Sequence, residues 1–183
     1  RNSPETTVLI DEAYFEYVDA PDYATAIPAA LANPRVVVTR TFSKVFGMAG
    51  LRIGYAVGQP ATLARMAAWL LGSNVSQLSL VAAALAVGDR AHIAIEQRRN
   101  RATRDYTREY FSKAGLRSAR SDANFMMVDI GRDARQFKLD CIKHKVAVGR
   151  QFASHPTWAR VSFGTMTEMR KAVGVFSQVL GEG

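Results

Sequence analysis

Hydrophobic and polar positions alternate along the chain in two rhythms. Thr6–Ile10 is a short β-rich apolar run that ends at the acidic pair Asp11-Glu12, and it predicts a strand. Val36–Thr39 and Arg52–Val57 predict two more. Continuous apolar runs of this kind suit strands in the middle of a sheet covered on both faces. Between the first two, the alanine-rich stretch Tyr23–Ala32 predicts a short helix stopped by Asn33-Pro34. The rhythm then turns helical. Pro60–Leu71 opens with proline in its first turn and closes at Gly72, and Ser76–Val87 closes at Gly88. Asp89 is placed to cap a long helix to about Lys113, with Ile95, Ala102, Tyr106 and Tyr110 along one face and Gly115 as its breaker.

Beyond Gly115 a smaller α/β pattern follows. Asn124–Asp129 predicts a strand, Ala134–Lys145 a helix, Val146–Val148 a short strand and Ala159–Phe163 another strand. Thr167–Leu180 predicts a last helix with Thr167 as its N-cap. These elements place a boundary near residue 115, giving domains 1–115 and 116–183 bridged by the long helix. Three parallel strands make a small sheet, so the pattern reads as the second half of something larger.

Composition narrows the class. The chain has 183 residues, 48% of them hydrophobic and 22% charged, enough for an ordinary folded core. One cysteine, Cys141, excludes an internal disulfide framework and fits a reducing compartment. No run approaches the roughly 20 apolar residues that span a bilayer. The start, Arg1-Asn-Ser-Pro-Glu-Thr6, lacks an apolar signal-peptide core, so the expected location is cytoplasmic, without membrane attachment. The net charge of +8 raises the question of nucleic acid. Arg98, Arg99, Arg101, Arg104 and Arg108, however, alternate with Glu96, Asp105 and Glu109 at helical spacings, the mark of a solvated helix face. An anion-binding surface is the alternative, and no nucleic-acid module is recognisable. His92, His144 and His155 are scattered, with no metal-ligand spacing.

Three segments carry candidate chemistry, each at the end of an early strand where open α/β sheets hold their ligands. Asp11 and Tyr14 follow the first strand. Thr41-Phe-Ser-Lys44 follows the second. Gly47-Met-Ala-Gly-Leu-Arg52-Ile-Gly54 is a glycine-rich turn delivering Arg52. Taken singly, these are a helix-capping acid with a packing tyrosine, a surface lysine and a flexible loop. Together they match the needs of pyridoxal 5'-phosphate (PLP). A lysine holds the aldehyde and moves a proton, and a carboxylate keeps the pyridine nitrogen protonated. A phenol sits near the ring oxygen, while two hydroxyls and a guanidinium take the phosphate.

The motifs Asp11-Glu-Ala-Tyr14, Thr41-Phe-Ser-Lys44 and Gly47-Met-Ala-Gly-Leu-Arg52-Ile-Gly-Tyr55 resemble those of the class I/II aminotransferases, the fold type I PLP enzymes. Within these they are most similar to the histidinol-phosphate aminotransferases. Asn74-Val-Ser76, Ala123-Asn-Phe125 and Arg160-Val-Ser-Phe-Gly164 extend the resemblance over nearly the whole chain. It implies the C-terminal part of a large three-layer α/β/α domain plus a small α+β C-terminal domain. It also implies Lys44 as the Schiff-base lysine and acid/base, Asp11 at the pyridine nitrogen and Tyr14 at the ring oxygen. Thr41, Ser43 and Arg52 would contact the phosphate, and Arg160 would grip the substrate's carboxylate or phosphate. Arg150 would be a second substrate-facing arginine.

The implied reaction moves an amino group between an amino donor and a 2-oxo acid or phosphorylated ketone, in a homodimer acting on small molecules. The alternatives are another chemistry on this fold (an aromatic aminotransferase or a threonine-phosphate decarboxylase) or a non-catalytic assembly module that retains the motifs. Family members are longer. The expectation is that an N-terminal portion carries further cofactor contacts, that Arg1–Pro4 is the tail of one such loop, and that this chain alone has little activity.

Overall fold

A computed structural model of the chain describes residues 5–70, 72 and 74–181; Arg1–Pro4, Leu71 and the loop role expected of the first four residues lie outside that range. The chain divides into two compact units, residues 1–94 and 95–183, with the division inside the long helix.

In the first unit, β1 (Val8–Asp11), β2 (Val36–Thr41) and β3 (Gly54–Val57) form a sheet in that order. β1 runs parallel to β2, with Asp11 opposite Thr39. β3 runs antiparallel, with Gly54 opposite Thr41 and Tyr55 opposite Arg40. The expectation of strands covered on both faces holds for Val37 and Val38, which are buried, but not for β1, where Val8 and Leu9 are exposed. β1 lies at an edge of this sheet among the described residues, so it has a neighbour on one side only.

The helices are shorter than their patterns suggest: α1 is Ile27–Ala32, α2 is Pro60–Ala67 and α3 is Gln77–Ala86. α3 is apolar around most of its circumference. It buries Ser79 and Ala83, while Leu78 and Leu85 remain 78% and 74% exposed. A helix apolar on all sides ordinarily sits inside a protein. Among the described residues, no single helix is long and apolar enough to cross a membrane.

The long helix α4 (Arg90–Lys113) starts as expected, with Asp89 Oδ1 accepting from the His92 amide at 2.9 Å. Its buried face differs from the expected one. Asn100, Thr103, Arg104, Thr107 and Phe111 are buried, at spacings of three and four, while Ile95 is exposed. Arg104 therefore does not belong to a solvated basic face; it is held by Asp122 at 3.1 Å and Asp105 at 3.4 Å. The reason is Phe111, which stacks on Phe176 with ring centroids 5.6 Å apart. Burying that ring turns its 3.6-period neighbours inward, polar or not.

The second unit also holds an antiparallel sheet, β4 (Arg117–Ser118), β5 (Phe125–Asp129) and β6 (Trp158–Ser162), with α5 (Ala134–Lys143) and α6 (Met166–Leu180). Met126 and Val128 of β5 join Phe111, Phe137, Cys141 and Phe176 in its core, the alternation a half-covered strand requires. Two residues of β4 are too few to leave a pattern in sequence. Val146–Val148 is not a strand. Val148 packs into the core, and the following Gly149 makes a backbone bond to Arg160 O at 2.9 Å. The N-cap of α6 is Thr165, not Thr167: its hydroxyl and Glu168 form a reciprocal capping box.

Candidate active site

The loop carrying Lys44 is shaped by its apolar residues. Phe42, Val45 and Phe46 are buried with Ile53 and Ala83, so Thr41 before them and Ser43 and Lys44 between them are turned outward. The turn is tied locally by the Ser43 amide donating to Thr41 Oγ1 at 3.0 Å and the Gly47 amide to Lys44 O at 2.9 Å. His92 Nε2 lies 3.1 Å from Val45 O, fixing the same loop from behind.

Arg52 reaches the site by a different route from that expected. It precedes β3 and does not follow it. Because β3 is antiparallel to β2, its start lies beside the end of β2, so Arg52 still joins the residues at the ends of β1 and β2. Arg52 sits in the left-handed region, φ 51° and ψ 49°, a conformation a non-glycine residue adopts at a cost in energy. Its Nη1 donates to Ala49 O at 2.6 Å. Two residues on, Gly54 has no room for a side chain: a Cβ there would stand 2.6 Å from Arg40 O.

Asp11 closes the other side. Its Oδ1 accepts from the Ala13 amide at 3.1 Å and from Thr39 Oγ1 at 3.3 Å, which orients the carboxylate across the parallel pair. Tyr14 stands at the start of a single 3-10 turn (Phe15–Tyr17), with Lys44 Nζ 5.0 Å from its ring centroid. Asp11, Thr41, Ser43, Lys44 and Arg52 all line one cleft of about 500 Å³. An amine, a carboxylate, two hydroxyls and a guanidinium in one cleft can hold an aldehyde, a protonated ring nitrogen and a phosphate dianion.

A second group beside the cleft was not anticipated. Glu12 is buried, and its carboxylate is met by Arg40, Thr25 and the Ala26 amide. Burial works to raise its pKa, but the bonds from Ala26, Arg40 and Thr25 outweigh it and hold the group below its ordinary value. The one sequence signal is an acidic pair ending a strand, which did not distinguish Glu12 from Asp11.

Arg150 and Arg160 belong to the second unit. Arg160 projects from β6 with its guanidinium 4.1 Å from the Phe125 ring centroid. Its Nε is buried and has no hydrogen-bond partner among the described residues. Gly149 packs against its stem, since a Cβ there would lie 3.1 Å from Arg160 Cβ. Arg150 is exposed, over Phe152 at 4.8 Å.

The profile of the family described as "Aminotransferase class I and II" matches residues 2–176. The chain belongs to that family. Among the chain's relatives, histidinol-phosphate aminotransferases of Moorella thermoacetica and Symbiobacterium thermophilum are 33% and 34% identical over 97% and 100% of the chain. It covers 46% and 50% of those proteins, so it spans about half their length.

The same fold appears in a putative histidinol-phosphate aminotransferase from Erwinia carotovora atroseptica, at TM-score 0.94 and 26% identity over 99% of this chain and 53% of that one. It appears again in the histidinol-phosphate aminotransferase of Sinorhizobium meliloti, solved in complex with pyridoxal-5'-phosphate. There the TM-score is 0.89 and the identity 26%, over 98% of this chain and 50% of that one. The α/β fold is thus that of the fold type I aminotransferases.

Proposed function

We propose that this chain carries the catalytic lysine of a PLP-dependent aminotransferase of the histidinol-phosphate type. The observation that carries the reading is the convergence of Lys44, Asp11, Thr41, Ser43 and Arg52 on one cleft, with Tyr14 beside the amine. PLP bound there would supply an aldehyde and an electron-accepting ring. The chain's own groups then have separate tasks. Lys44 Nζ would hold the cofactor through its aldehyde carbon, with loss of water, and would carry a proton to and from the substrate carbon. Asp11 keeps a proton on the ring nitrogen. The Tyr14 hydroxyl would serve the ring oxygen, and Thr41, Ser43 and Arg52 would hold the phosphate.

In the second unit, the buried Nε of Arg160 lacks an acceptor among the described residues, and that supports its role as the grip on a substrate carboxylate or phosphate. Arg150 is the second arginine of that set. The likeness to relatives named histidinol-phosphate aminotransferase supports a phosphorylated amine and a 2-oxo acid as the substrate pair. A homodimer in the cytoplasm belongs to the same reading. The exposed apolar face of α3 supports association, and sedimentation of the protein tests it.

The test of the reading is trapping. The chain is incubated with PLP, reduced with borohydride, digested and analysed by mass spectrometry. A pyridoxyl label on Lys44 that disappears in Lys44→Ala supports the assignment; labels spread over surface lysines, or none, sink it. A substrate panel on the complete protein then separates transamination of histidinol phosphate from an aromatic aminotransferase or phosphothreonine decarboxylation. Turnover by the 183-residue chain alone is expected to be slight, because it covers about half the length of its relatives.

A further inference from the structure

We propose that the buried Glu12–Arg40 pair is the positioning element of this site: it locks the ends of β1 and β2 together so that Asp11 and Lys44 face one cleft. The proposal deepens the reading of that cleft as a cofactor site and rests on it for its consequence, though not for its geometry.

The pair joins the two segments that carry the chemistry. Glu12 follows Asp11, and Arg40 precedes Thr41, three residues before the Ser43-Lys44 turn. Glu12 Oε2 accepts from Arg40 Nε at 3.1 Å and Nη2 at 2.8 Å, and from Thr25 Oγ1 at 2.8 Å. Oε1 accepts from the Ala26 amide at 2.6 Å. The Arg40 guanidinium carbon stands 3.9 Å from the Phe15 ring centroid, and Arg40 is paired opposite Tyr55 of β3. The Glu12 side chain is fully inaccessible, and that of Arg40 is 12% exposed.

Alternation explains why such a pair acts on the site. Consecutive residues of extended chain point to opposite faces. Glu12 and Arg40 meet on one face, and Asp11, Thr39 and Thr41 lie on the other, where Asp11 is bonded by Thr39. A slip of one residue between β1 and β2 would put Asp11 and Thr41 on opposite faces. An apolar pair of similar volume would fill the space with less desolvation, but would not fix register. A buried arginine–carboxylate fork does. Phe42, Val45 and Phe46 hold the Lys44 loop down, whereas the Glu12–Arg40 fork sets where it lies relative to Asp11.

The experiment compares Arg40→Lys and Glu12→Gln with the parent chain by amide hydrogen exchange. Both substitutions keep a polar side chain of similar size, so both are expected to fold. The diagnostic amides are those of Ala13, bonded to Asp11, and Ser43, bonded to Thr41. Loss of one charged hydrogen bond predicts about tenfold faster exchange at both, including Ala13 in Arg40→Lys, where the change lies on the other strand. The Gly149 amide in the second unit serves as the reference and stays unchanged.

Unaltered rates, or acceleration confined to the substituted strand, overturn the positioning role. Loss of protection throughout the first unit does so too, since that marks a structural brace. In parallel, the rate of borohydride-trapped PLP label on Lys44 is expected to fall about tenfold in both variants. Equal labelling of variants and parent also overturns the proposal. A parent chain that takes no label removes the cofactor reading, while the exchange rates still decide the lock.

Discussion

Gly54→Ala tests how tightly the site is built, because the change adds one methyl group at a place where the nearest atoms cannot rotate away. Gly54 opens β3 opposite Thr41, and the added Cβ would lie 2.6 Å from Arg40 O and 3.4 Å from Thr41 Cα, both backbone atoms. A carbon in a sheet approaches a carbonyl oxygen to about 3.3 Å. The strands must therefore separate by roughly 0.7 Å or tilt at the point where β2 hands over to the Lys44 loop. Overpacking of this kind costs about 1–3 kcal/mol, and alanine returns about 0.4–1 kcal/mol by stiffening the unfolded chain. The net expected loss is about 1–2 kcal/mol, which for a chain of this size lowers Tm by roughly 2–8 °C.

Gly58→Ala is the matched control. Its Cβ would meet its nearest neighbours, Val36 O, a leucine methyl and a valine methyl, at 3.5–3.6 Å, ordinary contact. That variant should be neutral or slightly more stable. Urea denaturation of the parent and both variants measures the difference directly, with unchanged m-values confirming that the same transition is compared. Equal stability of Gly54→Ala and Gly58→Ala would refute the close approach, and with it the claim that bare backbone walls this side of the cleft.

Two further measurements address the second unit. Thr165→Ala removes the hydroxyl that accepts from the Glu168 amide and should cost about 1 kcal/mol by thermal or urea unfolding, whereas Thr167→Ala should cost a few tenths at most; the reverse order would return the cap to Thr167. Burial raises the Cys141 thiol to about 11, so native protein at pH 8 should resist a thiol reagent that labels the urea-unfolded chain within minutes. The sign for stability follows. Below the unfolded thiol's pKa of about 8.5 both states keep the proton, and between there and about 11 only the unfolded state loses it, so this group makes stability fall as pH rises. Flat stability across that alkaline window in a comparison with Cys141→Ala would contradict it.

The sequence was most legible where one residue decides the outcome locally. Asp89 before a helical run, Gly115 after it and Pro60 at a first turn each act on their own backbone, and each marks an end of its element as read. Thr165 is the same kind of signal misplaced by two residues: Thr165-Met-Thr-Glu168 contains two threonines, and only the one three positions before glutamate can make the reciprocal box. Legibility failed where the deciding contact is distant. Nothing near Arg104 announces Asp122, eighteen residues on, or that Phe111 turns its face of α4 inward.

The same limit explains what was seen and missed at the site. Lys44, Asp11 and Arg52 are chemically unusual in their order and so stand out, even though Arg52 comes from the start of an antiparallel strand and not from the end of a parallel one. Glu12 and Arg40 are as polar as their neighbours. Only strand pairing shows that they face each other. A motif names the groups that touch a ligand. The groups that hold two motifs at a fixed separation are spread between them, so they become visible only when β1 and β2 are laid side by side. That is the physical reason Asp11 was assigned a role from sequence while its neighbour Glu12, the more buried carboxylate, was not.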